Sequence, residues 1–112
     1  MPHDPQKHLF DILQACELIA DFTKDKSLEQ FKDNALLRSA VERQFQIIGE
    51  ALSQLLRRFP DLSSKITDYQ DIINFRHILV HGYDRIEDDV TWGVIQANLP
   101  VLKKEIEDLL KQ

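Results

Sequence analysis

The apolar positions in the middle of the chain recur at the spacing of an α-helix. They advance by three or four residues at a time: Leu37, Val41, Phe45, Ile48, Leu52, Leu55 and Phe59. Such a stripe lies along one face of a helix, and charged residues occupy most of the positions between. Pro60 follows directly and disfavours helical geometry in the residue before it. The pattern predicts a long amphipathic helix near residues 34–59.

Two segments before this helix are also helical by pattern. The first has the same period and predicts a helix over residues 5–24, with these apolar positions: Leu9, Ile12 or Leu13, Cys16 and Ile19. Further on, Ser27 and Gln30 have the spacing of a capping box, in which two side chains satisfy the first backbone groups of a helix. We therefore expect a short helical turn before the long helix.

Beyond Pro60, the segment DLSSKITD indicates a connection with room for one helical turn, and two more helices follow. Asp68 is placed to cap a helix that continues to about Gly82, with apolar positions at Ile72, Phe75 and Leu79. The last helix begins near Asp88, which is also placed as a cap, and its stripe comprises Ile95, Leu99, Leu102, Ile106 and Leu109 or Leu110. Pro100 lies inside this stripe. Because proline lacks a backbone donor and clashes with the preceding turn, a kink or a break is predicted there.

These elements predict an all-α fold, a bundle of four main helices with short extra helical turns. No segment alternates polar and apolar residues with hairpin turns, and no internal repeat is visible. A chain of 112 residues with 43% hydrophobic and 29% charged residues has the size and composition of one globular domain. We therefore expect a single domain over residues 1–112.

Composition also limits the function. The start of the chain lacks a signal peptide and no segment is apolar enough for a membrane span, so the cytoplasm is expected. The one cysteine, Cys16, lies in an apolar stripe and is interpreted as a buried small hydrophobe rather than a nucleophile. A formal charge of −5 argues against a long nucleic-acid footprint, but the arginines of the central region leave room for a small phosphate site.

The segment RHILVHGY concentrates the polar residues that could perform chemistry. Arg76, His77, His81 and Tyr83 stand within eight positions at the end of a predicted amphipathic helix. At 100° per residue, Arg76 and His81 point roughly 140° apart, so one straight helix does not aim both at one spot. Loosening near Gly82, or a second copy of the chain, would bring them together.

Arginine and histidine suit RNA cleavage without a metal ion. The reaction needs a base for the ribose 2′-hydroxyl, an acid for the leaving oxygen and a cation at the phosphate. A structural interpretation stays open, because a histidine at a helix C-terminus complements the helix dipole and Arg76 could pair with Asp71 or Asp84. A metal site on His77 and His81 also stays open. Their spacing suits two ligands on one helix face, with further ligands from Asp84 or Asp88.

The order Arg76, four residues, His81, one residue, Tyr83 matches the Arg-x4-His-x-Tyr motif of HEPN-domain toxins. The blocks AVERQFQIIGEAL, INFRHILVHGY and VIQANLPVLKKEI resemble those of the HepT-like family of small HEPN proteins, in the same order and across essentially the whole chain. The resemblance implies a HEPN-like helical bundle that dimerises and acts as a metal-independent endoribonuclease. It makes Arg76 and His81 catalytic and requires neither a metal nor a cofactor.

The same resemblance implies regulation and partners. HepT-like toxins are commonly encoded beside a nucleotidyltransferase of the MNT type, an antitoxin that can transfer AMP to the motif tyrosine, here Tyr83. The expected partners are thus a second copy, this antitoxin and RNA. His77 replaces the Asn or other polar residue that many members carry after the motif arginine, and we place it only as a neighbour of the site. The alternative is a non-catalytic HEPN-like module that binds a nucleotide or a protein.

Overall fold

A computed structural model describes residues 4–81 and 88–112, without the side chains of residues 80 and 81. The described residues form five α-helices and one 3-10 helix. The helices are α1 (Gln6–Thr23), α2 (Leu28–Asp33), α3 (Ala35–Arg58), α4 (Tyr69–His81) and α5 (Asp88–Leu110), with the 3-10 helix (Pro60–Lys65) between α3 and α4. The prediction of an all-α bundle with four main helices, α1, α3, α4 and α5, is confirmed.

One hydrophobic core joins these helices, and α3 lies at its centre. α3 packs against α1 on one side and α4 on the other, while α5 packs against α1 and the short α2 bridges α3 and α5. The predicted stripes supply most of the buried side chains, among them Ile12, Ile48, Leu52 and Ile106, and Phe31 of α2 adds a further large one. Burial of these stripes is the main force that holds the bundle together.

The beginnings of α2 and α3 are capped by side chains. The Ser27 hydroxyl accepts from the Gln30 amide at 3.2 Å, and the Gln30 side chain accepts from the Ser27 amide at 2.8 Å, which confirms the predicted capping box. α3 begins directly after Asn34, whose side chain accepts from the Leu37 amide at 3.0 Å. Both caps satisfy backbone donors that would otherwise lack a helical partner.

The start of α4 is attached to α5. The amide and hydroxyl of Thr67 donate to the two carboxylate oxygens of Glu105, at 2.9 and 2.7 Å. Asp68 precedes α4 as predicted, in the left-handed region with φ 55°, and its carbonyl accepts from the Ile72 amide. This arrangement fixes the point from which α4 runs towards the predicted motif. The expected end near Gly82 lies outside the described residues.

α5 corrects one prediction. The helix continues through Pro100 without a break from Asp88 to Leu110, so the expected break is wrong. Pro100 and Gln96 both lie on the exposed face, so water can hydrate the Gln96 carbonyl that loses its partner. Burial of the α5 stripe on the opposite face holds the two halves in one helix.

The interpretation of Cys16 as a buried hydrophobe is confirmed. Its side chain has no exposure, and burial raises the pKa of its thiol to about 12. The thiol therefore stays protonated and unreactive at neutral pH. No helix in the described part of the chain is long and apolar enough to cross a membrane.

Candidate active site

The side chain of Arg76 lies where α3 and α4 approach each other most closely. Gly49, a buried residue of α3, faces it, and a Cβ built on Gly49 would overlap the Arg76 Cβ and lie 2.6 Å from its Cγ. Real side chains do not tolerate such contacts. The absence of a side chain at position 49 therefore lets the aliphatic part of Arg76 pass over α3.

The guanidinium of Arg76 is only loosely held. Its Nη2 lies 3.7 Å from Oε2 of Glu50, a contact of ion-pair rather than hydrogen-bond length. The Nε is buried and has no hydrogen-bond partner among the described residues. Since buried donors are almost always satisfied, an arginine with this deficit is a candidate for binding something else.

Glu50 has a second contact, to its own helix. The Gln54 side chain donates to Oε1 of Glu50 at 3.5 Å, the outer limit of a hydrogen bond. The carboxylate remains well exposed, at 59%, whereas the Arg76 side chain is 24% exposed. Glu50 thus stands at the mouth of the site, and the arginine lies deeper between the helices.

A cleft between α3 and α4 exposes this pair to solvent. It has a volume of about 170 Å³, and its polar or charged lining comprises Glu50, Ser53, Gln54, Arg57, Arg76 and His77. Typical small-molecule sites measure about 300–1,000 Å³. The smaller cleft, with two arginines and a histidine in its wall, suits one anionic group of a longer ligand.

A second cleft of about 280 Å³ runs between α1 and α3. Lys7, His8 and Arg43 line it, and it shares Glu50 and Gln54 with the first cleft. The two clefts therefore lie on either side of Glu50, and both carry cationic side chains. Asp11 also lines the second cleft and pairs with Lys7 at 2.9 Å, so the charges of that lining are mixed.

The predicted site residues are brought together only in part. Arg76 and His77 both line the α3–α4 cleft. His81 is the last residue of α4, about 7.5 Å farther along the helix axis than Arg76 at 1.5 Å per residue. The side chain of His81 and the whole of Tyr83 lie outside the described residues.

The predicted partner of Arg76 needs correction. The ion pair is formed with Glu50 of α3 and not with Asp71 of its own helix; Asp84 lies outside the described residues. Asp71 is in the first turn of α4, where the positive end of the helix dipole stabilises its carboxylate. A neighbouring helix thus supplies the charge that local sequence was expected to supply.

Sequence reasoning missed Gly49 and Glu50, although a signal for each exists. A glycine inside a long helix is unfavourable and often marks a close approach by another element. Arg43, Glu50 and Arg57 are seven residues apart, so they repeat on one face of α3 beside the apolar stripe. That polar face, flanked by α1 and α4, is the floor of both clefts.

The described residues give no support to a metal centre, and they leave one part of that hypothesis untested. No group of three or more His, Cys, Asp or Glu side chains converges within residues 4–79 and 88–112. The hypothesis also involves the side chain of His81 and Asp84, which are outside the described set. It stays a prediction.

Comparisons with known proteins identify the family of the chain. The family model described as "Ribonuclease HepT-like" matches residues 12–109. The whole chain is 33% identical to a Methanocaldococcus jannaschii protein named "Gamma-glutamylcyclotransferase and putative RNase", but it spans only 50% of that relative's length. A "Putative RNase" of the same organism is 32% identical over 93% of this chain and 94% of its own length.

A "Probable ribonuclease HepT" of Thermococcus cleftensis is 32% identical over 99% of this chain and 100% of its own length. No solved structure matches the chain significantly. The family match covers α3, α4 and almost all of α5, and so includes both walls of the Arg76 cleft. The chain belongs to the HepT-like ribonuclease family.

Proposed function

We propose that this protein is a metal-independent endoribonuclease in which Arg76 and His81 are catalytic. The observation that carries the proposal is the loosely paired guanidinium of Arg76 in a small, solvent-open cleft. Family membership and the ribonuclease names of its relatives support the same activity. The substrate is cellular RNA in the cytoplasm.

The reaction is an internal transfer at phosphorus. A base removes the proton of the ribose 2′-hydroxyl, and O2′ forms a bond to phosphorus while the bond from phosphorus to O5′ breaks. An acid protonates O5′, which leaves a 2′,3′-cyclic phosphate and a 5′-hydroxyl end. Arg76 binds the phosphate oxygens and stabilises the charge that develops there, and histidine is suited to the proton transfers at neutral pH.

A homodimer completes the proposed site. The reaction needs both a base and an acid, and each chain supplies one motif histidine, His81. A two-fold axis near the ends of two α4 helices would bring two copies of His81 and Arg76 to one cleft. Light scattering should therefore give a dimer mass at micromolar concentration. A monomer that cleaves RNA at full rate would contradict this part of the proposal.

The proposed biological role is that of a toxin controlled by a nucleotidyltransferase of the MNT type. The partner activates the Tyr83 phenol, whose oxygen bonds to the α-phosphorus of ATP as pyrophosphate leaves and the partner accepts the proton. The attached AMP places negative charge next to Arg76, where an RNA phosphate would bind. Cleavage then stops.

Cleavage assays on three single variants test the catalytic proposal. Arg76→Ala and His81→Ala should lose RNA cleavage and growth arrest while they keep the parental helical circular-dichroism spectrum and thermal midpoint. Lys104→Ala is the matched control, because it also removes a cation from an exposed ion pair (Lys104–Asp108, 2.9 Å), but outside both clefts. A chelator should have no effect. Parental cleavage by either variant would show that the proposed site is wrong. Absence of cleavage by the parent chain itself would favour a non-catalytic binding module, and activity restored only by a divalent ion would favour the metal site.

Mass spectrometry after co-expression with the adjacent nucleotidyltransferase tests the proposed regulation. The chain should gain one or more AMP units on the peptide that contains Tyr83, and Tyr83→Phe should escape both modification and neutralisation. A chain that is neutralised without any added mass would show that the antitoxin inhibits by binding alone.

A further inference from the structure

The aliphatic part of the Arg76 side chain is fixed by packing, whereas its guanidinium is loosely held. Its Cβ and Cγ press on Gly49, and its Cδ would lie 3.4 Å from a Cβ at that position, so α3 directs the side chain along the cleft. The guanidinium then meets the Glu50 carboxylate at 3.7 Å. An exposed ion pair of this length contributes little to folding stability, so stability alone is a poor reason for the carboxylate to be there.

The carboxylate changes what Arg76 can bind. A phosphate that approaches the guanidinium from the solvent side must come close to Glu50, whose side chain is 59% exposed and lies 3.7 Å from Nη2 of Arg76. Each negative charge on the ligand strengthens its attraction to Arg76, but it also strengthens its repulsion by Glu50, so the carboxylate reduces what the arginine gains from a more highly charged ligand. A phosphodiester inside an RNA chain carries one charge, whereas a terminal phosphate monoester carries close to two above its second pKa near 6.

We propose that Glu50 is a specificity-determining residue that makes the Arg76 cleft accept internal phosphodiesters and disfavour terminal phosphates. The inference rests on the proposed ribonuclease function and names its substrate class more narrowly. In the absence of RNA, Glu50 holds the guanidinium in the cleft. When a phosphodiester binds, the guanidinium turns to the phosphate oxygens and the carboxylate moves towards water.

Two probes that differ by one methyl group test this inference. Adenosine 3′-phosphate is a monoester, and its 3′-methyl ester is a diester with one charge fewer at pH 8. Binding of each is measured by calorimetry at pH 8 on the full chain with His81→Ala, which prevents cleavage of the diester. This chain should bind the diester more tightly than the monoester.

Glu50→Gln should remove this preference, because the amide keeps the size of the side chain and can still contact Gln54 and Arg76 without the charge. The ratio of the two affinities should shift towards the monoester by about fourfold or more, because about fourfold is the size expected for one unit charge about 5 Å away when it is screened as in bulk water. Glu17→Gln, an exposed carboxylate of α1 outside both clefts, is the charge-matched control and should leave the ratio unchanged.

Arg76→Ala separates the failure of this inference from failure of the proposed function. If Arg76→Ala weakens both probes but Glu50→Gln changes both affinities equally, Glu50 does not select the ligand and the inference is overturned while the phosphate site stands. If Arg76→Ala leaves both affinities unchanged, the cleft is not the phosphate site and the proposed function is itself wrong. Circular dichroism of each variant confirms that the fold is intact.

Discussion

Two arginines on neighbouring helices have different surroundings. Arg38, on α3, donates through Nη1 to the Lys32 carbonyl and lies 3.9 Å from Asp88 on α5, with both side chains less than 20% exposed. Beside it, Lys32 pairs with Asp89 at 2.9 Å. Arg76, on α4, has one long contact to an exposed carboxylate and a buried Nε without a described partner.

The comparison shows how one residue type can serve structure or leave capacity for a ligand. At the α2 corner, which comprises Lys32, Arg38, Asp88 and Asp89, charged pairs connect α2 and α3 to α5. An aromatic contact also joins α2 to α5 there, with the ring centroids of Phe31 and Trp92 5.3 Å apart. At the α3–α4 cleft, the guanidinium faces solvent beside an open volume. An arginine that also hydrogen-bonds to the backbone, as Arg38 does, connects parts of the fold, whereas one with only a long ion pair can exchange its partner for a phosphate.

The largest expected effect comes from removing each arginine in turn. Arg76→Ala should reduce RNA cleavage by about 10²–10³-fold, as the loss of a donor that stabilises transition-state charge does elsewhere. Its free energy of unfolding should change by no more than about 1 kcal/mol. Arg38→Ala should do the opposite, with near-parental cleavage and a loss of about 1–3 kcal/mol from the hydrogen bond and ion pair at the corner.

Urea unfolding and cleavage rates, measured on both arginine variants, decide this comparison. If Arg38→Ala reduced cleavage as much as Arg76→Ala, the α2 corner would belong to the active site. If Arg76→Ala unfolded the chain, the Glu50 pair would be structural after all.

Two glycines offer a matched test of the close approach at the cleft. Gly49→Ala places a Cβ where the Arg76 side chain lies and should lower the free energy of unfolding by about 1–3 kcal/mol through overpacking. The same change should also reduce RNA cleavage in part, because it displaces Arg76. Gly93→Ala, inside α5, has no atom within 4 Å of the new Cβ and should stabilise the chain by about 0.5–1 kcal/mol. Thermal midpoints that move in the same direction for both variants would contradict the proposed role of Gly49.

The last prediction concerns the hydrophobic core, which should keep the Cys16 thiol uncharged, whereas the cleft contains charged side chains. Burial raises the pKa of Cys16 from 9.0 to about 12, so above pH 9 the unfolded chain loses this proton and the folded chain keeps it. Stability should therefore fall between pH 9 and pH 12, by at most about 1.4 kcal/mol per pH unit from this group. Urea unfolding of the parent and of Cys16→Ala at pH 8, 9 and 10 isolates the contribution of the thiol to the pH dependence of stability. Equal pH slopes in the two proteins would show that the thiol ionises in place.

Most of the helices follow from local pattern, because each presents one apolar stripe to the core. The pattern predicts α3 near 34–59 and the helix spans Ala35–Arg58, and the capping box at Ser27 has the predicted hydrogen bonds. At Pro100 the predicted break is wrong, since the rule for proline considers the backbone alone. The buried side of α5 and hydration of the opposite side outweigh the missing hydrogen bond.

The site was less accessible to sequence reasoning because its geometry depends on two helices. The sequence around Arg76 is enough to identify it as a candidate site residue. Gly49 and Glu50 lie more than twenty positions earlier, and their relation to Arg76 is visible only when α3 and α4 pack together. Helical periodicity gives the face on which a residue lies and does not name the residue opposite. The roles of His81 and Tyr83 stay predictions.

Two contacts fix the position of α4 relative to the other helices, and together they affect where its last residue lies. The first is the pair of hydrogen bonds from Thr67 to Glu105 at the start of the helix, and the second is the contact of Arg76 with Gly49 farther along. His81, the last residue of α4, lies five residues beyond the second contact. A small change in the spacing of α3 and α4 at Gly49 would tilt α4 about its start, and the displacement would be larger at His81 than at the contact itself. The accuracy with which the histidine is placed is therefore set by a residue that has no side chain.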